Sequence, residues 1–412
     1  MRDTTIVSLF QEHTRDVTRE PSPFPGISRN VYLLALVSLF TDLSSEMIYP
    51  LVPLFLSGQL GAPVAVIGLI EGIAESTASL FKWVSGAWSD RLAMRKPFLL
   101  VGYGLAAVTK PLMALAFAWP LVLVARVLDR LGKGLRGSPR DALIADSAAP
   151  EVRGRSFGFH RSGDSIGAVL GPLLAIAVLG LFHGSFRTAF VVAFVPGVLS
   201  TLLILPVREV RAPVKARAAS SLWRSGAGNP ALRRFLVVVF VFAIGNSSDM
   251  FLILRASQLG VSSTTAVLLF ALANLLNVLS SYPAGIVSDR LGRKGVLITG
   301  FFLFAAVYFG FGMAGSPALL WGLFAVYGVY LGLTDGVTKA LIVDFTPQGE
   351  RGAALGLQAA VLGICTLPAS VIAGALWQYG GPAWTFLYGA ATATAAALLL
   401  AYFLASGKLK AA

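Results

Sequence analysis

Apolar runs of membrane-crossing length follow one another along nearly the whole chain, with few polar positions between them. A helix needs about 20 residues to cross a hydrocarbon core. Runs of that length predict twelve spans, at 31–57, 64–88, 97–118, 120–146, 155–181, 187–206, 233–257, 262–287, 295–314, 318–344, 353–378 and 383–405. Several are joined by very short stretches, such as Trp119-Pro120, Gly315-Ser316-Pro317 and Gly380-Gly381-Pro382. Joints that short make the flanking spans antiparallel neighbours. The expectation is an all-α integral membrane protein.

Composition narrows the choice of function. The 412 residues are 56% hydrophobic and 13% charged, far from the balance of a soluble domain. Spans take up nearly the whole length, so no soluble catalytic domain is expected. There is no Walker loop, and three histidines and one cysteine supply no metal-ligand spacing. An enzyme is therefore not expected, nor a cofactor or bound metal. Cys365 lies inside an apolar run and has no partner for an intrachain disulfide.

The net charge of +13 is read as loop charge rather than as a nucleic-acid footprint. Arg91, Arg95, Lys96, Arg153, Arg155, Arg290, Arg293, Lys294 and Lys408 fall on one side of the predicted spans. The opposite loops hold little beyond His183 and Arg187. By the positive-inside rule both termini are cytoplasmic, in a multi-pass protein of the cytoplasmic (inner) membrane. Residues 1–30 lack the apolar core of a signal peptide and read as a tail. A monomer in the lipid bilayer is expected.

The two halves echo each other. Ser44-Ser45-Glu46-Met47 is matched by Ser247-Ser248-Asp249-Met250, and Ala142–Asp146 by Ala340–Asp344. Arg153-Gly154 is matched by Arg351-Gly352. The offset stays near 200 residues, which makes a parallel repeat of six spans plus six. The predicted bundles are 31–206 and 233–405. A basic linker, 207–232, joins them, and 406–412 forms a second cytoplasmic tail.

Three stretches carry a family resemblance. Gly86-Ala-Trp-Ser-Asp90-Arg91-Leu-Ala-Met-Arg95-Lys96 follows the second span, and Gly285-Ile-Val-Ser-Asp289-Arg290-Leu-Gly292-Arg293-Lys294 follows the eighth. Each sits as a charged turn between two apolar runs. Together they resemble the signature loop of the major facilitator superfamily, Gly-x-x-x-Asp-Arg-x-Gly-Arg-Arg/Lys. The first copy departs at Ala93 and Met94, the second at Gly295. Arg130-Leu-Gly-Lys133-Gly134 resembles the superfamily's Arg-x-x-Gln-Gly pattern, linked to proton transfer, with Lys133 in place of Gln. Gly163-x-x-x-Gly167-x-x-x-Gly171-Pro172 resembles the pattern of its bacterial drug/proton antiporters. Glycines on one face also let helices approach closely, which is ordinary in membrane bundles.

The resemblance implies two six-helix bundles around a central cavity. Spans 1, 4, 7 and 10 would line the cavity, 2, 5, 8 and 11 would flank it, and 3, 6, 9 and 12 would face lipid. It also implies that the signature loops gate the cytoplasmic face, with Gly86, Asp90, Arg91, Gly285, Asp289 and Arg290 in that role. Arg153 is the expected basic partner of the aspartates.

Ionisable groups at membrane depth are costly and mark pathways or paired sites. Asp42 lies roughly 16 Å past Val31 along a helix, about half-way through the first span, with Glu46 one turn on. Glu71 and Glu75 share a face of the second span. Span 4 carries Arg126, Asp129, Arg130, Lys133 and Arg136, and span 5 carries His160, Arg161 and Asp164. Asp42, Glu46, Glu71, Glu75 and Asp164, tuned by Arg130, are the proton-coupling candidates. Arg126, Asp129, Lys133 and His160, with Asn246, Asp249, Asn274 and Asp335 of the second half, are the substrate-cavity candidates. The competing reading is that these charges pair with one another for structure, as Arg126 with Asp129, Arg130 with a span-1 acid, and Asp335 with Lys339.

The leading expectation is a secondary transporter that works by alternating access, with protons and a small organic substrate as its partners, by efflux. An importer or exchanger of an organic anion or metal chelate is the alternative, favoured by the bases of span 4. A membrane sensor or scaffold that binds without transporting is the alternative of another class.

Overall fold

A computed structural model describes residues 23–24, 26–92, 94–149, 152–210, 229–346 and 351–409. Most of the tail 1–30, most of the linker 207–232, the end of the tail 406–412 and Ala93 of the first signature loop lie outside the described residues. Regular structure among the described residues is helical throughout. In chain order it comprises α1 Arg29–Ile48, α2 Leu51–Leu54, a π-helical turn Phe55–Gln59, α3 Val64–Leu92, α4 Lys96–Ala114, α5 Trp119–Asp146 and α6 Arg153–Leu181. There follow α7 Phe186–Leu202, α8 Pro230–Ala243, α9 Met250–Gln258, α10 Ser263–Leu291, α11 Arg293–Met313, α12 Pro317–Asp344, α13 Arg351–Gly380 and α14 Pro382–Ala405.

Nine helical stretches among the described residues are long and apolar enough to cross a membrane, the first of them Arg29–Gln59. The protein is an all-α integral membrane protein. Three of the expected spans fall short of that standard, each for a physical reason. Helix α5 has the length but carries too many charges. Helix α7 has 17 residues and stops before Pro206, which lacks an amide donor and disfavours helix in the residue before it. The expected span 233–257 is broken: α8 ends at Ala243 and α9 begins at Met250. The chain between them contains Gly245-Asn246-Ser247-Ser248, residues that favour turns over helix. Gly245 also lies so close to Thr392 of α14 that no side chain would fit there.

The signature stretches are corrected as well. Expected as turns from their first glycine, they remain helical, and α3 and α10 run on to Leu92 and Leu291. Asp90 and Asp289 therefore sit on last helical turns. The second reversal falls at Gly292, whose φ of 92° suits a residue without a Cβ.

The chain divides into two compact units, Met1–Tyr49 with Thr77–Ala216 and Pro50–Ser76 with Arg217–Ala412. In the first unit α1 lies against α6. A Cβ built on Gly163, Gly167 or Gly171 would come within 2.6 Å of Ala35 O, 2.6 Å of Leu39 O and 2.8 Å of Met47 N. Only glycine permits that approach of backbones. At one end Val31, Leu34, Leu99, Tyr103, Leu143 and Ile204 form a core. The Asn30 side chain ties that end together, donating to Ser147 Oγ at 3.0 Å and to Arg208 O at 2.9 Å.

In the second unit α10 lies along α12 and α11 along α14. An aromatic core joins α8, α11 and α12: Phe242 stacks on Phe301 at 4.6 Å, and Phe304 stacks on Tyr308 at 3.9 Å. Residues 50–76 pack here, with Gly72 against Leu367 and Gly374 against Ala65, and the Ser76 hydroxyl donating to Gly363 O at 3.0 Å.

Candidate functional site

In the first unit the charges of α5 are gathered around Asp129. Lys110 of α4 donates to Asp129 Oδ1 at 2.8 Å, with both side chains almost completely shielded. Arg126 and Arg130 each approach Asp129 Oδ2 at 3.9 Å. Their guanidiniums lie 5.6 and 5.9 Å from the ring centre of Tyr49, where a cation is attracted by the π face. Burying one carboxylate against three cations compensates the charges for their loss of water. Arg126 does face Asp129, but the closest cation is Lys110, which sequence reading left on a lipid-facing span. Lys133 is exposed. Arg136 lies over the Tyr103 ring at 4.5 Å.

A second polar group links three helices. Ser38 Oγ of α1 lies 2.7 Å from His160 Nε2 of α6, and Arg140 of α5 donates to the same hydroxyl at 3.2 Å. On its other side the His160 ring has Nδ1 3.7 Å from Asp164, while Arg140 pairs with Asp141 at 3.0 Å. His160, expected in the substrate cavity, thus bridges α1 and α6 through Ser38. Ser38, Arg140 and Asp141 were missed from the sequence, because small hydroxyls and helix-end charges carry no periodic signal.

Asp42 is next to this polar group. Its Cβ lies against Gly167, three residues from Asp164. Asp164 and Glu46 add like charge, and Arg136 and Lys133 opposite charge, at longer range. Asp42 itself makes no hydrogen bond or ion pair among the described residues.

The aspartates of the signature stretches are held by arginines, in two parallel sets. In the first, Arg95 bonds Asp90 Oδ1 at 2.5 Å, Ser89 Oγ at 2.9 Å and reaches Asp146 at 3.7 Å. In the second, Arg293 bonds Asp344 at 2.5 Å and Asp289 at 3.2 Å. Aligning the two stretches puts Met94, not Arg95, opposite Arg293. The residue after the departure takes over the missing guanidinium's contacts. Arg153, the expected partner, instead donates to Ala145 O at 3.2 Å. The start of α4 is held by Glu209, whose carboxylate accepts the amides of Arg95 and Lys96, both at 2.8 Å. Arg91 and Arg290 are exposed. Gly86 packs on Ser138, whereas Gly285 faces open space.

In the second unit Tyr327 donates its hydroxyl to Asp249 Oδ1 at 2.6 Å. Glu71 and Glu75 of α3 lie within electrostatic reach of Asp249. Glu71 is fully buried. Asn246 is in the break between α8 and α9, and Asn274 is half-buried on α10. Asp335 pairs with Lys339 at 2.8 Å on an exposed face, the structural alternative for those two. Arg255 donates to Phe311 O at 3.1 Å and Ala314 O at 2.7 Å, closing the end of α11.

Helices of crossing length with buried charge clusters, and duplicated arginine clasps at the helix ends, define a polytopic membrane protein. The family model of the Major Facilitator Superfamily matches residues 34–254 and again 235–411. An uncharacterized MFS-type transporter of Methanocaldococcus jannaschii is 36% identical over 91% of this chain and 95% of its own. The multidrug resistance protein MdtH of Photorhabdus laumondii is 24% identical over 84% of this chain and 86% of its own. A bacterial homologue of the human lysosomal transporter Spinster shares the fold, with a TM-score of 0.70 at 17% identity over 94% of this chain and 98% of that one. The chain belongs to the major facilitator superfamily, a family of membrane transporters.

Proposed function

We propose that the protein exports a small organic molecule in exchange for protons, by alternating access in the cytoplasmic membrane. The observation that carries the reading is Asp42, which makes no hydrogen bond or ion pair among the described residues and whose Cβ lies against Gly167, one turn from Asp164. Carboxylates gathered in a poorly solvated place are relieved by binding a proton. The Ser38–His160–Asp164 group beside it offers further sites among which a proton can be passed. Efflux is favoured by the likeness to a multidrug resistance protein. The six-plus-six division, 31–206 and 233–405 with both termini cytoplasmic, belongs to the same reading and is supported by the repeat.

The alternative, import or exchange of an organic anion or metal chelate, draws on the bases of span 4, Arg126, Arg130, Lys133 and Arg136. It is weakened because Asp129 already engages Arg126 and Arg130 and Arg136 lies over the Tyr103 ring. The test is reconstitution into vesicles holding a pH-sensitive dye. A compound is first chosen by thermal shift from a panel of antibiotics, organic acids and siderophores. The reading expects protons to move opposite to that compound. Movement in the same direction, or none, overturns it.

A further inference from the structure

The repeated Ser-Ser-acid-Met stretch is used differently in the two halves. Glu46 lies within the unbroken helix α1. Its counterpart Asp249 stands at the N-cap of α9, where the chain has left the helix after Ala243. Among the described residues no cation pairs with Asp249. The charged groups that bear on it are Glu71 and Glu75, both of its own sign. Arg255, the one basic residue of α9, is committed to carbonyls at the end of α11. The contrast with Asp129, which has a lysine and two arginines within 4 Å, is complete. A carboxylate at membrane depth without a cation lacks the compensation that such groups ordinarily find.

The surroundings of Asp249 supply what a ligand's cation would need. Tyr308, Tyr327, Tyr330 and Phe304 form one aromatic cluster, with Phe304–Tyr330 centroids 4.9 Å apart and Tyr327–Tyr330 centroids 5.5 Å apart. Tyr327 fixes one oxygen of the carboxylate by its hydrogen bond. Two deeply buried hydroxyls, those of Tyr308 at 0% and Ser247 at 6% exposure, lie within reach of each other, and neither meets hydrogen-bond geometry with any partner among the described residues. Tyr308 also lies within electrostatic reach of Asp249, and Ser247 is two residues before it. A buried hydroxyl with so little satisfied capacity costs free energy unless something else engages it.

We infer that Asp249, Ser247, Tyr308 and Tyr327 form a site for the protonated amine of an organic cation. The carboxylate balances the charge, and its second oxygen with the two hydroxyls supplies acceptors for the N–H groups. The tyrosine rings add attraction for a desolvated cation. The inference rests on the transporter reading and names the class of its substrate.

The experiment uses the purified full-length protein near neutral pH, without a membrane gradient. Binding is read by thermal shift with four probes: 2-phenylethylammonium, its neutral isostere 2-phenylethanol, 3-phenylpropionate and sodium ion. The wild type should respond to the ammonium, and to each of the other three at least about tenfold more weakly. Asp249→Asn should abolish the preference for the ammonium. Tyr327→Phe keeps the ring and should weaken binding while leaving the preference. If Asp249→Asn does not fold, the wild type's choice among the probes decides. Equal response to ammonium and alcohol, a preference for the carboxylate, or a response to sodium alone overturns the site. Because no proton gradient is involved, such a result leaves proton coupling through Asp42 standing. Intact amine binding with no proton movement would instead strike at coupling and spare the site.

Discussion

Lys110 Nζ lies 2.8 Å from Asp129 Oδ1, between two side chains that are almost wholly shielded from solvent. Asp129 also has Arg126 and Arg130 at 3.9 Å, whereas the buried lysine is held by this one carboxylate among the described residues. Asp129→Leu should therefore cost about 3–5 kcal/mol of stability, the usual result of orphaning a buried charge. Lys110→Met combined with Asp129→Leu should recover the part of that loss that belongs to the lysine. Thermal unfolding of the detergent-solubilised variants measures it. If the two single losses simply add in the double variant, the residues are not coupled and the buried pair is not structural.

Arg95 clasps Asp90 and Asp146 much as Arg293 clasps Asp289 and Asp344. The clasps are expected to bias a conformational equilibrium rather than to touch substrate. Arg95→Gln should slow turnover roughly tenfold, a change of about 1.4 kcal/mol in a barrier, with little change in substrate affinity. Met94→Arg added to Arg95→Gln should restore much of the rate, since position 94 aligns with Arg293. Transport rates and binding constants measured side by side test this. A loss of affinity without a loss of rate contradicts the gating role.

Gly167 meets the backbone of α1 and the Cβ of Asp42. Gly167→Val should prevent that approach and sharply reduce the yield of folded protein. Gly180→Val, on the same helix but facing open space, should be tolerated. Size-exclusion profiles of the two variants give the comparison, and equal profiles would contradict the close packing of α1 on α6.

The helices were legible because each apolar run is long and the joints are charged or rich in Gly and Pro. The break after Ala243 was less so. Its signal, Gly245-Asn246-Ser247-Ser248, sat inside an otherwise apolar stretch whose total length satisfied a span. Lys110 shows the limit for the candidate site. A lone lysine on a span assigned to lipid was itself a warning, since a charge facing hydrocarbon is costly. The sequence could not say that it turns toward Asp129, because that contact depends on how α4 meets α5. There Gly102 and Gly132 bring the two backbones together. The Asp249 site was half legible. Its acid stood out through the repeat, but its tyrosines come from α11 and α12, about 60 and 80 residues away in the chain, and no spacing rule joins them.

Asp42 and Glu46 of α1 are proposed to carry the coupling proton, and Asp42 is the one to change. Reconstituted Asp42→Asn should still exchange substrate across the membrane at equilibrium, yet fail to move it against its gradient when a pH difference is imposed. Glu46→Gln should do the same or shift the pH optimum. The decisive measurement is pH-driven substrate accumulation in vesicles containing Asp42→Asn, set beside equilibrium exchange in the same vesicles. Exchange without accumulation is the predicted result. Accumulation against a gradient with a normal pH profile would contradict the account and move the coupling site to Glu71, Glu75 or Asp164.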